Sequence, residues 1–157
     1  MSNEQHILSG QVLVNDVDIW ESYGVFLTEE KKGALENLTS IMTASKVKGH
    51  VGVDIREQPG RKYSSRLDVV NDEREVTLHF AQYAPTRLEW FRNYMDFIGF
   101  LKSGDDGWLR FTFPGLGVTL RMFFVECGGY RPLTYLWREG VQASRYKIRF
   151  REPEPII

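Results

Sequence analysis

Pro85-Thr86-Arg87-Leu88-Glu89-Trp90-Phe91-Arg92-Asn93-Tyr94-Met95-Asp96-Phe97-Ile98-Gly99-Phe100-Leu101-Lys102-Ser103-Gly104 is the stretch of this chain that reads most clearly as a helix. Leu88, Phe91, Met95, Ile98 and Leu101 recur at spacings of three and four, which marks one helical face. Thr86 stands three residues before Glu89, the pattern of a capping box, with Pro85 just upstream. Ser103-Gly104 supplies a stop. The spacing predicts a helix over about 87–102. Trp90, Phe97 and Phe100 widen the apolar surface beyond one stripe, so the helix is expected to be sandwiched or to lie at an interface.

Outward from this helix the text changes to a period of two. Upstream, Glu75-Val76-Thr77-Leu78-His79-Phe80 alternates apolar with polar and reads as a strand. Downstream, Trp108 to Phe113 and Val118 to Val125 flank a Pro114-Gly115-Leu116-Gly117 turn, a hairpin pattern. Cys127-Gly128-Gly129 breaks it. Tyr130 to Arg138 and Ser144 to Phe150 read as two more strands, the last with Tyr146, Ile148 and Phe150 alternating with basic residues. Near the start, Ile7-Leu8, Val12 to Val14, Val17 to Trp20 and Val25 to Leu27 read as short strands, with a turn at Asn15-Asp16. Ala34 to Leu38 is compatible with a helical turn. Residues 46–66 are polar, basic and broken by Gly49, Gly52 and Pro59-Gly60, which predicts a long excursion with a hairpin. The expectation is one domain over residues 1–157, mainly β within the α+β class. It is a β-sandwich or split barrel with one flanking α-helix at about 87–102.

Composition narrows the function. The 157 residues include ten Phe, seven Tyr and four Trp, an aromatic excess that needs a home in a core, a pocket or an interface. A net charge of −1 argues against a whole-domain nucleic-acid footprint. That near-zero sum hides blocks. Residues 1–30 hold six acids and no Lys or Arg, and 31–66 hold eight bases against three acids. Residues 67–107 hold eight acids against four bases, and 108–157 the reverse. Such alternation fits complementary faces that steer copies together, or a surface whose blocks interleave on folding. In the 46–66 segment a nucleic-acid groove is a third reading, although only Tyr63 is there to stack on a base. The polar N-terminus lacks the features of a signal peptide. No apolar run is long enough to cross a membrane. Cys127 is the single cysteine, so no intrachain disulfide is available and a reducing cytoplasm is the expected site of synthesis.

The catalytic templates find little purchase. There is no G-x-S-x-G elbow, no P-loop and no G-x-G-x-x-G fingerprint. His6, His50 and His79 are remote in sequence from one another and from Cys127, without zinc-ligand spacing. Asp16 and Asp18 would share a face in a strand and could hold a hard cation, or they are acidic turn residues. Asn37-Leu38-Thr39 matches a glycosylation acceptor by chance. No catalytic residue, cofactor or metal site is expected.

The order of features is more specific than any one motif. Ile19-Trp20-Glu21-Ser22-Tyr23-Gly24-Val25 is followed by the Gly-punctuated stretch, then by a strand after Arg74-Glu75, the helix, and a tryptophan-bearing strand. Lys147-Ile148-Arg149-Phe150-Arg151-Glu152-Pro153 closes the series. In this order the chain resembles the tube-forming and distal-tail (baseplate hub) proteins of long-tailed bacteriophages and prophages. The resemblance implies a homo-oligomeric ring, usually a hexamer, built with other tail proteins around a lumen through which DNA passes. No membrane is involved, and localisation would be cytoplasmic on synthesis and in the virion tail after assembly. It brings no catalytic residues, and it likens the 46–66 excursion to a loop that bridges stacked rings. A departure from the resemblance is that the second, receptor- or carbohydrate-binding domain of many distal-tail proteins is not expected here, which leaves open tube, hub, adaptor or a bacterial relative. Candidate assembly contacts are Lys46, Lys48, Arg56, Arg61, Lys62, Trp90, Phe97 and Phe100. The alternative is a small-ligand or lipid-binding β-sandwich or barrel whose aromatics line a pocket. An enzyme would require His50 or His79 beside Cys127 or a carboxylate.

Overall fold

A computed structural model describes residues 8–134 and 140–157. In chain order its elements are β1 (Leu13–Val14), β2 (Val17–Asp18), α1 (Ile19–Tyr23), β3 (Val25–Leu27) and α2 (Glu36–Met42). They continue with β4 (Val53–Asp54), β5 (Arg61–Lys62), β6 (Arg74–Ala84), α3 (Arg87–Ser103), β7 (Leu109–Phe113), β8 (Val118–Pro132) and β9 (Gln142–Glu152). The fold is mainly β: a curled seven-stranded sheet in the order β2-β1-β7-β8-β9-β6-β3, with a separate β4-β5 hairpin. All the strand pairings are antiparallel.

Strand β8 makes the curl. Its first residues, Val118 to Met122, pair with β7, and from Phe123 to Pro132 it pairs with β9. Register shifts between Phe124 and Glu126 and between Gly128 and Arg131 bend it further, as bulges do. The sequence reading ended this strand at Val125 and took the glycines as a break. They are bulge positions instead, and Gly129, at φ 61°, takes the left-handed conformation that bulge needs. Of the predicted Tyr130–Arg138 strand, the part to Pro132 belongs to β8, and residues 135–139 lie outside the described residues.

Inside the curl, period two becomes a core. Val76, Leu78 and Phe80 of β6 face Tyr146, Ile148 and Phe150 of β9 in direct register, all buried. Phe111 of β7 meets Phe150 edge to face with centroids 4.7 Å apart, and Phe80 meets Phe97 of α3 at 5.8 Å. Helix α3 matches the predicted limits, and the Thr86 hydroxyl accepts the Glu89 N–H at 3.2 Å.

Its buried face agrees only in part with the marked stripe. Leu101 of that stripe is buried and Ile98 packs on the core, together with Trp90 and Phe97, whereas Leu88 is 72% and Met95 70% exposed, with Phe91 also outward. Two apolar stripes share one period, so spacing alone cannot choose between them. The hollow of the sheet takes the stripe with the larger rings, Trp90, Tyr94 and Phe97.

Two further corrections lie near the N-terminus. Val17 to Trp20 was read as one strand, but Asp18 ends β2 and caps α1, accepting the Trp20 N–H at 3.0 Å. Leu8 accepts a turn hydrogen bond from Gln11 instead of entering a strand, and Ile7 lies outside the described residues. Gly24 closes α1 at φ 69°, where a Cβ would collide with the Tyr83 carbonyl, so only glycine fits this helix end against β6.

Candidate assembly surfaces

The predicted excursion is an arm. It leaves the body after α2 and returns at β6, with a neck at Lys48 N–H to Val70 C=O and Asp72 N–H to Lys46 C=O, both 2.7 Å. Beyond the neck the β4–β5 hairpin turns through Pro59-Gly60. Arg61 holds the hairpin together, reaching the Asp54 carboxylate at 3.3 Å and the Gly52 carbonyl at 2.9 Å. The apolar side chains of the arm have little to rest on. Val51 is 92% exposed, and Val53, Ile55, Tyr63, Leu67, Val69 and Val70 are exposed as well. Uncovered apolar residues on a polar, basic segment are a feature that needs an explanation.

The neck is locked from beneath by one buried ion pair. Arg74 Nε meets Glu152 Oε1 at 2.6 Å with both side chains buried. The Arg74 Nη1 also donates to the Ile41 and Thr43 carbonyls, at 2.9 and 2.5 Å, where α2 ends and the arm begins. One guanidinium thus ties together the start of β6, the end of β9 and the root of the arm. Such a side chain costs several times more to remove than a surface ion pair.

Helix α2 covers an edge that β3 is too short to cover. Asn37 Oδ1 accepts the His79 N–H at 2.6 Å and the Ser40 hydroxyl accepts the Thr77 N–H at 2.8 Å, so β6 shows no open donors there. Asn37 also donates to the Thr28 and His79 carbonyls, and this buried, fully used amide has no room for a glycan.

Of the eight sequence-predicted contact residues, five lie on the arm or its neck: Lys46, Lys48, Arg56, Arg61 and Lys62, all exposed. The other three belong to the body. Trp90 is 3% and Phe97 0% exposed, both packed inside this chain, so neither presents surface to a partner. Phe100 is half-buried against Tyr23, with ring centroids 5.7 Å apart. The exposed face of α3 is carried instead by Leu88, Phe91 and Met95, part of the stripe whose spacing marks one helical face. That stripe was the signal available for them in the sequence.

Chemistry-bearing residues are not gathered. Cys127 is half-buried on β8 beside the Tyr94 hydroxyl, and burial pushes its thiol pKa up, away from the reactive thiolate. Burial likewise pushes Tyr94 up to about 12 and raises Tyr130 and Tyr146. Asp16 pairs with Arg110, and Asp18 is occupied by the α1 cap and the Gly10 N–H. Among the described residues no group of three His, Cys, Asp or Glu is placed to hold a metal ion, and no helix is long and apolar enough to cross a membrane. Part of the charge alternation interleaves within the chain. Arg151 bonds Glu73 and Glu75, and Arg149 bonds Glu75 and Glu126.

No protein-family profile matches the sequence, and no curated protein matches it. Among solved structures, the chain is similar to the Dit (gp 19.1) protein of SPP1, described as a paradigm of the hub adsorption apparatus of phages that infect Gram-positive bacteria. The TM-score is 0.55 at 11% identity, over 92% of this chain and 50% of that one. This chain therefore spans about half the length of that protein, and the curled sheet with its flanking helix is a fold the two have in common.

Proposed function

We propose that this chain is a structural subunit of a phage or prophage tail, of the distal-tail or hub type, which works by self-assembly and carries no catalysis of its own. The fold likeness to SPP1 Dit over nearly the whole chain carries the reading. Two surfaces support it. The arm projects a row of apolar side chains that its own body does not cover, and α3 turns Leu88, Phe91 and Met95 outward. A ring subunit needs two different sticky surfaces, because a heterologous contact that closes a ring joins one patch to another. In this reading the arm of one copy lies on a neighbour, and tail proteins above and below cover the rest.

A small-ligand or lipid-binding protein is the weaker reading. The aromatic rings it needs around a cavity are spent on one another: Phe80, Phe97, Phe111, Phe150 and Tyr146 are all buried in mutual contact.

The experiment is sedimentation with negative-stain imaging of the purified chain over a wide concentration range. Rings, or oligomers that grow with concentration, are expected. A strict monomer at the highest concentration, from a gene with no tail genes beside it, would sink the proposal.

A further inference from the structure

Strand β9 turns four cations outward in succession, Arg145, Lys147, Arg149 and Arg151, and the sheet treats the two halves differently. Arg149 and Arg151 are answered by Glu73, Glu75 and Glu126 on the flanking strands. Arg145 and Lys147 are not. Directly opposite Arg145 on β8 stands another cation, Arg131, and on β6 stands Ala81. Lys147 lies between Gly128 and His79. Among the described residues no carboxylate is within ion-pair distance of Arg131, Arg145 or Lys147. Like charges directly opposite on a sheet are destabilising.

The same residues line an open-mouthed cavity of about 250 Å³, together with Thr28, Glu30, His79 and Tyr130. Its shape is built. The Gly128/Arg131 bulge brings Gly129 over the Lys147 stem, where a Cβ would crowd the lysine carbons at 3.3 Å. Arg145 Nη1 is steadied by the Glu29 and Glu30 carbonyls, at 3.3 and 3.4 Å, which leaves its charge unneutralised. Three cations and a histidine stand around a small hollow against the single carboxylate of Glu30, an excess of positive charge whose complement is an anion.

We propose that this cavity binds a small phosphate-bearing ligand. The dianion sits among Arg131, Arg145 and Lys147, with guanidinium groups suited to bidentate phosphate contacts. Thr28 and Glu30 line the same hollow, where a ligand hydroxyl would donate to the carboxylate. The site is independent of ring formation and would hold in a monomer.

The test is calorimetric titration of the full chain with inorganic phosphate and with glycerol 3-phosphate at constant ionic strength, chloride serving as the blank. Saturable binding is expected, weakened on the order of tenfold or more in Arg131→Ser/Lys147→Ser. Arg149→Ser removes a cation from the neutralised half and is expected to leave binding within about twofold, because its charge is already answered. Equal affinity for the two probes identifies free phosphate as the ligand type. Tighter glycerol 3-phosphate identifies an organic phosphate read through Thr28 and Glu30. No saturable binding of either probe, or equal weakening by Arg149→Ser and the double variant, overturns the proposal. So does a duplex oligonucleotide that binds more tightly than both probes and responds equally to all three cations, since that is a diffuse nucleic-acid stripe.

Discussion

The body and the arm use similar apolar residues to opposite ends. In the body, Val76, Leu78, Ile148 and Phe150 are enclosed by neighbouring strands and by α3. In the arm, Val51, Val53, Ile55 and Val69 stand in the open on and around a two-stranded hairpin that pairs with no other strand among the described residues. A lone hairpin is marginal in water, because its few hydrogen bonds do not offset the entropy of ordering it. The body therefore owes its order to its own packing, and the arm's own packing contributes little to the order of the arm. Covered residues report on folding and uncovered ones on association, and substitutions can separate the two.

The sharpest contrast comes from one core and one arm residue. Phe150→Ala empties the middle of the aromatic cluster and is expected to cost about 3–5 kcal/mol in chemical denaturation. Val51→Ala, at the most exposed apolar position on the arm, is expected to change stability by less than about 0.5 kcal/mol. Comparable losses from the two would mean that the arm packs on its own body, and the contrast drawn above would fail.

Arg74 sits on the border. Arg74→Ala strands the Glu152 carboxylate in the interior and releases the Ile41 and Thr43 carbonyls. A loss of about 3–5 kcal/mol is expected, together with early proteolysis at the neck. Arg74→Met with Glu152→Leu leaves no stranded charge and is expected to recover most of the stability, while the neck still opens. A double variant as unstable as Arg74→Ala would mean that the pair itself, and not the avoidance of a lone charge, holds this corner.

The body was far more legible in sequence than its surfaces. Alternation located β6 and β9, and the Thr86 cap with Ser103-Gly104 bounded α3 almost to the residue, because both signals are local. The arm was visible as a composition, with its turn at Pro59-Gly60. What local pattern could not decide was how much of the Leu88-Phe91-Met95-Ile98-Leu101 stripe goes inside, since Trp90-Tyr94-Phe97 obeys the same period beside it. The choice is made by the hollow of a sheet whose strands come from both ends of the chain. The cation cluster was hidden for the same reason. Arg131 is fourteen residues from Arg145, and only the β8 bulges put them opposite each other.

Alkali offers a milder probe of the body alone. Burial raises the pKa of Tyr94 to about 12 and also raises Tyr130 and Tyr146. In the unfolded chain these phenols ionise near their ordinary value, about 10. Between those limits the folded state holds more protons than the unfolded state, so stability falls as pH rises and is unaffected below about 9. Phenolate absorbance from Tyr94 and Tyr146 is expected to appear only together with unfolding. Its appearance near the ordinary value would show that the tyrosine cluster is open to solvent.

The smallest expected effect on the fold belongs to the largest deletion. Replacing residues 50–68 with a two-residue Asn-Gly turn keeps the neck hydrogen bonds at Lys46, Lys48, Val70 and Asp72. It removes no core contact and shortens a loop, so Tm is expected to move by no more than about 2 °C. Oligomers seen for the full chain are expected to be lost, because the deleted segment holds most of the uncovered apolar row. The Leu88→Ser/Met95→Ser variant attacks the other surface at equally little cost to folding and is expected to weaken association without abolishing it. If the armless chain still forms rings while the helix variant does not, the outward face of α3 is the ring contact and the arm serves a different neighbour. A cooperative loss of stability on deleting the arm, close to that of Phe150→Ala, would make the arm part of the body after all.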